Sequence, residues 1–155
     1  MKYVSTRNNQ IELGFKDVFI KGLSEEGGLF VPKTLEAYNE QDLNDFKKLN
    51  YNDLALKILH PFCRDFIDEN NLKIIIEKSY SKFRENEVIK ITNLENLKLL
   101  ELYHGPTLAF KDIAMQFIGN LYQYYLNKNK DFLNIIVATS GDTGAAAIDA
   151  IKGKK

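Results

Sequence analysis

A lysine stands close to the start of an apolar helical pattern, in the stretch HGPTLAFKDIA from His104 to Ala114. At roughly 100° per residue, Lys111 lies on the flank of the apolar face and near the positive end of the helix dipole. Partial burial and a positive dipole end each disfavour an ammonium group, whereas a lysine that attacks an aldehyde needs its neutral amine. The position therefore suits a Schiff-base lysine. The apolar face itself consists of Phe110, Ile113, Ala114, Phe117, Ile118, Leu121 and Tyr125.

An ordinary structural role explains the same position of Lys111. Lysines often extend from the edge of a helix toward water, and the neighbouring Asp112 would then be a solvated side chain. Such lysines are common on helix surfaces, so position alone favours this second interpretation.

A second candidate is the stretch ATSGDTGAAA, from Ala138 to Ala147, in which an apolar strand pattern leads into an alanine-rich helix. Glycines such as Gly141 let a ligand approach the backbone, and free amides at a helix start bind anions. Ser140 and Thr143 add hydroxyl groups at the carboxyl end of a strand, where open α/β sheets hold ligands. A strand-to-helix turn with an Asp or Thr N-cap explains these residues equally well. The pattern is neither GxGxxG nor Walker A, so nucleotide binding is not indicated.

Other polar residues are weaker candidates for a site. His104 precedes Gly-Pro and fits a loop residue that makes one hydrogen bond, and His60 lies within an apolar helical pattern. The run from Ser5 to Arg7 suits an anion site or a strand end with a surface arginine. The lone cysteine, Cys63, fits a small core residue. No metal-ligand spacing and no nucleophile–histidine pair is found in the sequence.

The elements around these candidates change in character near residues 87–97. The first part predicts a short strand at KYVSTR, a short helix, a Gly-Gly turn, and then three helices up to Phe83. After VIKIT the order becomes strand, helix, strand, helix: LKLLELY, a helix from about Leu108 to Asn127, the apolar run FLNIIVATS, and GDTGAAAIDAIKG. Strands that are apolar on both faces and alternate with helices indicate a parallel sheet. So short a sheet is not a finished domain, and we expect the front part of a longer protein.

Composition excludes several function classes. Basic and acidic residues balance at 21 each, so no charge imbalance indicates nucleic acid or a membrane surface as a partner. Apolar residues form 45% of the chain, which is enough for a packed core. No secretory signal and no apolar run of membrane-spanning length is found. The expected location is the cytoplasm.

Taken together, four stretches resemble the threonine synthase family, whose members are pyridoxal phosphate enzymes of the tryptophan-synthase-β-like fold group. YVSTR and GGLFVP are similar to the family's N-terminal domain, LELYHGPTLAFKD to its cofactor-lysine segment, and ATSGDTGAAA to its substrate loop. The last two, in this order, are highly specific.

The resemblance implies a role for each candidate residue. Lys111 corresponds to the lysine that binds pyridoxal 5'-phosphate as a Schiff base and later moves protons. Ser140, Gly141 and Thr143 correspond to the loop that holds the substrate carboxylate, and Asp142 to a position beside the cofactor's phenolic oxygen. The implied reaction converts O-phosphohomoserine and water into threonine and phosphate. Relatives in the fold group often have Asn where Asp142 stands; an ionised Asp would repel a carboxylate, and a helix cap or a protonated side chain are the alternatives.

The expected fold class is α/β. A mostly helical small N-terminal domain with short strands over residues 1–92 is followed by the start of a parallel-sheet, pyridoxal-phosphate-dependent domain of fold type II, truncated, over residues 93–155. By the resemblance, the glycine-rich cup for the cofactor phosphate lies later in the family's chains. We therefore expect this piece alone to be inactive and to self-associate through unpaired strand edges. Two alternatives remain: a threonine-synthase-like phospholyase, and a folding or interaction module without catalysis.

Overall fold

The computed structural model describes residues 1–154. They form a first compact unit, residues 1–73, and a second that begins at Ile74. The elements are β1 (Tyr3–Ser5), β2 (Glu12–Leu13), α1 (Phe15–Lys21), β3 (Phe30–Pro32), α2 (Glu40–Phe46), α3 (Tyr51–Cys63), α4 (Glu69–Tyr80), β4 (Lys90–Leu94), β5 (Leu97–Glu101), α5 (Asp112–Asn129) and α6 (Asp142–Ile151). The mixed α/β class with short strands is therefore confirmed. The division into domains at residues 92 and 93 stays a prediction.

The first unit contains a small antiparallel sheet in the order β2-β1-β3. Val4 lies opposite Glu12 on one side and Val31 on the other. The chain reverses before β3 at Gly27, whose φ of 79° favours glycine. The stretches YVSTR and GGLFVP, separate in sequence, are thus neighbours in one sheet.

Aromatic side chains and the end of α3 form the core of the first unit. The ring of Phe15 lies 6.0 Å from that of Tyr3 and 5.8 Å from that of Phe66, measured between centroids. The Tyr3 hydroxyl donates to the carbonyl oxygen of Phe62 at 2.7 Å. Cys63 is only 2% exposed, so its predicted role as a core residue is confirmed. Pro61 lies inside α3 near its end and does not divide the helix in two.

The stretch LKLLELY pairs differently from the prediction. Its strand, β5, forms an antiparallel hairpin with β4, in which Ile91 faces Leu100 and Leu94 faces Leu97. Only Glu95 and Asn96 connect the two strands, and antiparallel strands can be joined by so short a loop, whereas parallel strands need a long crossover. No parallel pair occurs within residues 1–154.

The run FLNIIVATS is likewise not a strand here. Residues 131–139 have no regular secondary structure and are exposed throughout; the ring of Phe132 is 78% exposed and Ile136 is 94% exposed. A strand needs a neighbour for its backbone hydrogen bonds, and residues 1–154 supply none for this segment. The expectation of a buried parallel strand at this position is therefore wrong for the described chain.

The buried side of α5 is polar rather than apolar. Asp112, Gln116, Gly119 and Asn120 are buried together with Leu121, whereas Phe110 is 59% exposed. These positions repeat every three or four residues and so share one face. Part of that face packs against α6, where Gln116 donates to an Asp149 carboxylate oxygen at 2.7 Å. Across residues 1–154, α5 included, no helix has both the length and the apolar character that a membrane span requires.

Candidate functional site

The loop before α5 folds into two successive turns. The Leu108 amide donates to the Gly105 carbonyl at 3.2 Å, and the Asp112 amide donates to the Ala109 carbonyl at 3.0 Å. Leu108 has a φ of 64°, a left-handed value that few residues other than glycine adopt. Because these turns continue up to residue 112, α5 begins at Asp112 rather than near Leu108, where the sequence predicts its start.

Asp112 closes this loop from inside the protein. The Thr107 amide donates to Asp112 Oδ2 at 2.8 Å, and the Thr107 hydroxyl donates to Asp112 Oδ1 at 2.7 Å. Gly105 packs against the same side chain so closely that a Cβ at residue 105 would collide with it. Asp112 has no solvent exposure. The interpretation of Asp112 as a solvated neighbour of Lys111 is therefore wrong.

Lys111 is the residue immediately before α5, with a φ of −62°. Its side chain is partly buried, and Nζ lies 4.4 Å from the centroid of the Phe110 ring. Among residues 1–154, no hydrogen-bond or ion-pair partner is found for this Nζ, even though Asp112 is its neighbour in the chain. An amine without a carboxylate partner is available for chemistry with an aldehyde.

His104 joins the start of the loop to the hairpin. Its Nε2 lies 2.8 Å from Glu101 Oε2, and both side chains are buried. The Thr92 hydroxyl donates to Glu101 Oε1 at 2.5 Å, and this bond is the main cause that lowers the pKa of the Glu101 carboxyl. The expectation that His104 is a loop residue with one side-chain hydrogen bond is confirmed.

The second candidate loop leads into α6 without a side-chain cap. Gly141 is the N-cap residue, with a φ of 156°, and makes no side-chain cap hydrogen bond; its own amide donates to the Thr139 hydroxyl at 3.3 Å. The alternative that Asp142 or Thr143 is the N-cap is therefore wrong. Ser140, Gly141 and Asp142 are exposed, and Thr143 is partly buried. Around Gly141, a Cβ would meet no atom of the described chain within 4 Å. The Thr139 side chain packs against the first turn of α6, where a Cβ at Gly144 would lie 2.6 Å from Thr139 Cγ2.

The packing of α5 on α6 brings the two candidate segments to the same end of the helix pair. Gln116 contacts Asp149, and further along the chain Asn120 accepts a hydrogen bond from Lys154 Nζ at 2.9 Å. Between these contacts, a Cβ at Gly119 would lie 2.7 Å from the Ala150 carbonyl oxygen. Because contact positions ascend along both segments, the helices run in the same general direction. Their N-termini, next to Lys111 and to residues 140–143, lie at one end.

A cavity of about 230 Å³ lies between the two helices, lined by Met115 and Ile118 of α5 and by Thr143 and Ala147 of α6 among others. Thr143 is thus the predicted loop residue that shares this cavity with residues of α5. Lys111 makes no recorded contact with residues 140–143. The two segments lie at the same end of the helix pair.

In the first unit, the predicted anion candidate contacts an acidic side chain. The hydroxyls of Ser5 and Ser24 both donate to the Glu26 carboxylate, and these bonds, with that from Ser24 the larger, lower the pKa of Glu26. The Arg7 guanidinium donates to the Glu26 backbone carbonyl at 2.9 Å. Ser5 and Arg7 therefore hold the turn before β3, which favours the structural interpretation over an anion site.

Asp112 is the residue that sequence reasoning missed. A usable signal was present, because a carboxylate at the first position of a helix is favoured by the helix dipole and commonly accepts hydrogen bonds from nearby backbone and hydroxyl groups. Which residues it contacts depends on the path of the loop.

Among residues 1–154, no group of three or more His, Cys, Asp and Glu side chains could hold a metal ion.

Comparison with known proteins shows the family of this chain. A family model described as "Threonine synthase N terminus" matches residues 2–80, which is half of the chain. This chain belongs to the threonine synthase N-terminus family. Among relatives, threonine synthase from Saccharomyces cerevisiae is 41% identical over 99% of the chain, and threonine synthase from Pseudomonas aeruginosa is 40% identical over 98% of it.

A solved structure gives the same result for the fold. The chain superposes on a PLP-bound threonine synthase from Brucella melitensis with a TM-score of 0.94 and 38% identity, covering 100% of this chain and 34% of that one. In the yeast and Pseudomonas relatives the matched part is 33% of the length. The chain thus spans about a third of the length of the family members that it matches, including both candidate segments.

Proposed function

We propose that this chain forms part of a threonine synthase, a pyridoxal-phosphate-dependent lyase that converts O-phosphohomoserine and water into threonine and phosphate. The observation that carries the proposal is the unpaired Lys111 amine at the same end of the helix pair as the uncapped start of α6. The names of the relatives support this assignment, since both the yeast and the Pseudomonas proteins are threonine synthases.

The residues at this end suit the cofactor. An aldehyde needs a primary amine that is not held in an ion pair, and Lys111 Nζ has none among residues 1–154. When bound, pyridoxal phosphate supplies the electron sink for the carbanions that this reaction requires. In our proposal Lys111 holds the cofactor covalently, and Asp142 lies beside it. The Nζ of Lys111 would also be the group that carries protons during the reaction.

The start of α6 suits the carboxylate of an amino-acid substrate. Its first amides have no side-chain cap within the described chain, and the positive end of the helix dipole favours an anion. We assign substrate binding to Ser140, Gly141 and Thr143, which adjoin this helix start and supply two hydroxyls and backbone amides. Gly141 lets a ligand come close, because no side chain projects from it.

Asp142 is the first residue of α6, so its own carboxylate is stabilised by the same helix dipole. A second carboxylate bound at the helix start would be repelled by it unless the Asp142 side chain is turned away. We propose that Asp142 contacts the cofactor rather than the substrate carboxylate. This arrangement keeps the two negative groups apart.

The test is to find the lysine that carries the cofactor in the longest natural form of the protein. Reduction with borohydride fixes a pyridoxyl group on the lysine, and peptide mapping identifies the residue; we expect Lys111. Lys111→Arg is expected to abolish turnover, because a guanidinium does not supply a neutral amine at working pH. Lys128→Arg is the matched control, since Lys128 lies on the same helix with Nζ 5.8 Å from the ring centroid of Tyr124. A label on another lysine would refute the assignment.

The remaining parts of the proposal concern partners and location. We propose the small-molecule substrate O-phosphohomoserine as the ligand, and a cytoplasmic location as expected from the sequence.

We also retain the division into an N-terminal domain, residues 1–92, and the beginning of a catalytic domain, residues 93–155. Limited proteolysis of the natural protein tests this division: because Thr92 lies within the paired strand β4, cleavage is expected in the irregular segment just before it, residues 81–89, if the two parts are separate domains.

A further inference from the structure

We propose that Asp112 is a positioning residue for Lys111: its buried carboxylate ties the loop of residues 105–111 to the start of α5 and so fixes where the lysine amine points. The inference rests on the proposed role of Lys111 in the reaction. It adds a residue whose side chain contacts neither the lysine amine nor the loop at residues 140–143.

The burial of Asp112 is unusual for a carboxylate. The side chain has no solvent exposure, and no cation pairs with it among residues 1–154. A buried carboxylate without a cation is costly unless other groups stabilise it. Here the two donors of Thr107 and the N-terminus of α5 supply that stabilisation. A small apolar residue at position 112 would fill the same space without the cost of burying a carboxylate. The specific contribution of Asp112 is therefore its two hydrogen bonds with Thr107.

Both hydrogen bonds are donated by Thr107, which precedes Lys111 in the chain, whereas the acceptor Asp112 follows it. They close a ring of chain from Thr107 to Asp112, and Lys111 is the last residue inside that ring. Gly105, which lies just before this ring in the chain, packs closely against the Asp112 side chain. Leu108, also within the ring, has the left-handed φ that persists only where surrounding contacts enforce it. The backbone of Lys111 is therefore restrained from both directions.

Two substitutions separate position from charge. Asp112→Ala removes both acceptors and leaves the Thr107 amide buried without its partner. Asp112→Asn has nearly the same shape: its amide oxygen can accept from the Thr107 amide, and its NH₂ can donate to the Thr107 hydroxyl, which both donates and accepts. If Asp112 acts by position, the Asn variant keeps the function that the Ala variant loses. If it acts by its charge, both variants lose that function.

The matched control is Ser79→Ala. Ser79 is 1% exposed, donates to the Ile75 carbonyl at 2.6 Å and accepts from Asn120 at 3.0 Å. Its substitution also removes buried hydrogen bonds from the second unit, but it leaves the loop before α5 untouched. It therefore shows what general destabilisation of this unit does.

The first readout is independent of the cofactor and of turnover. The longest natural form of the protein is prepared without cofactor and labelled with a trace of acetic anhydride, and mass spectrometry gives the labelling ratio of Lys111 to Lys128. We expect the ratio of the Ala variant to lie outside the spread of wild-type replicates, and the ratios of the Asn and Ser79→Ala variants to lie within it. An unchanged ratio in Asp112→Ala overturns the proposal.

The second readout is steady-state kinetics of the cofactor-loaded enzyme. A displacement of about 1 Å at a reacting group costs on the order of 100-fold in rate, so kcat of Asp112→Ala is expected to fall by about that factor with little change in KM. Asp112→Asn is expected to keep the kcat of the wild type. Equal losses in Asp112→Ala and Ser79→Ala, or in Asp112→Ala and Asp112→Asn, overturn the proposal. A wild-type enzyme whose pyridoxyl label lies on another lysine refutes the proposed function instead, and the labelling ratio still tests the loop.

Discussion

Single residues determine the chemistry of the candidate site through the partners that they have and lack. Lys111 Nζ has an aromatic ring beside it and no carboxylate partner within the described chain, whereas Asp112, its neighbour, has two donors and no cation. The sequence predicts that Lys111 lies at the flank of a helix start, because helical periodicity fixes that angle. It does not predict the partners of Asp112, because these depend on the turns at Leu108 and Ala109.

Residue-scale electrostatics also predict how the first unit responds to alkaline pH. Burial, as the largest cause, raises the pKa of Tyr3 from 10.0 to about 12 and that of Cys63 from 9.0 to about 12. The folded state therefore keeps both groups protonated where the unfolded chain ionises. Their contribution to the free energy of unfolding is complete below pH 9.0 and is lost as the pH rises toward about 12.

The measurement is urea unfolding at a series of pH values, with a pulse of thiol reagent that modifies Cys63, the one cysteine of the chain, only when its surroundings open. Tyr3→Phe removes one ionising group, so the urea midpoint of this variant is expected to fall less steeply with pH than that of the wild type. Tyr38→Phe is the control, because Tyr38 is 41% exposed. Identical slopes in Tyr3→Phe and the wild type would contradict the prediction.

At the scale of elements, local pattern and tertiary context contribute differently. The helices and the positions of strands β4 and β5 are predictable, because periodicity and asparagine caps such as Asn50 act within a few residues. The antiparallel pairing of these two strands differs from the predicted parallel sheet. The run at residues 132–139 is not predictable, because an apolar run becomes a strand only when another strand pairs with it. The polar buried face of α5 is also not predictable from periodicity, since Gln116 and Asn120 find their partners on other helices.

Close packing between α5 and α6 gives the element-scale prediction. A methyl group at residue 119 would lie 2.7 Å from the Ala150 carbonyl oxygen, so Gly119→Ala has to push α6 away. We expect the free energy of unfolding to fall by about 1–3 kcal/mol, the usual cost of overpacking. Amide hydrogen exchange in α6 is expected to become faster, because the helix packs less closely against α5.

The control for this experiment is Ala114→Leu, which adds bulk at an exposed position of the same helix. Surface substitutions of this kind usually change stability by less than about 0.5 kcal/mol. Urea unfolding and exchange measured by mass spectrometry compare the two variants. A Gly119→Ala protein as stable as Ala114→Leu would show that α6 can shift without cost.

At the scale of the whole molecule, two segments of the second unit expose apolar side chains. The hairpin strands expose Ile91, Leu97 and Leu100, and the segment after α5 exposes Phe132 and Ile136. In residues 1–154, β4 and β5 each pair only with one another, so each keeps an open edge. Exposed apolar surface and open strand edges recruit other chains.

We therefore expect the 155-residue chain, produced by itself, to self-associate. Sedimentation velocity is expected to show a mass that rises with protein concentration. Ile136→Lys places a charge on a residue that is 94% exposed in the segment after α5 and is expected to shift the population toward the monomer. Leu35→Lys changes a residue that is 69% exposed in the first unit, and its mass distribution is expected to match that of the wild type. A wild-type chain that stays monomeric at every concentration, or two variants that behave alike, would mean that this apolar surface does not drive association.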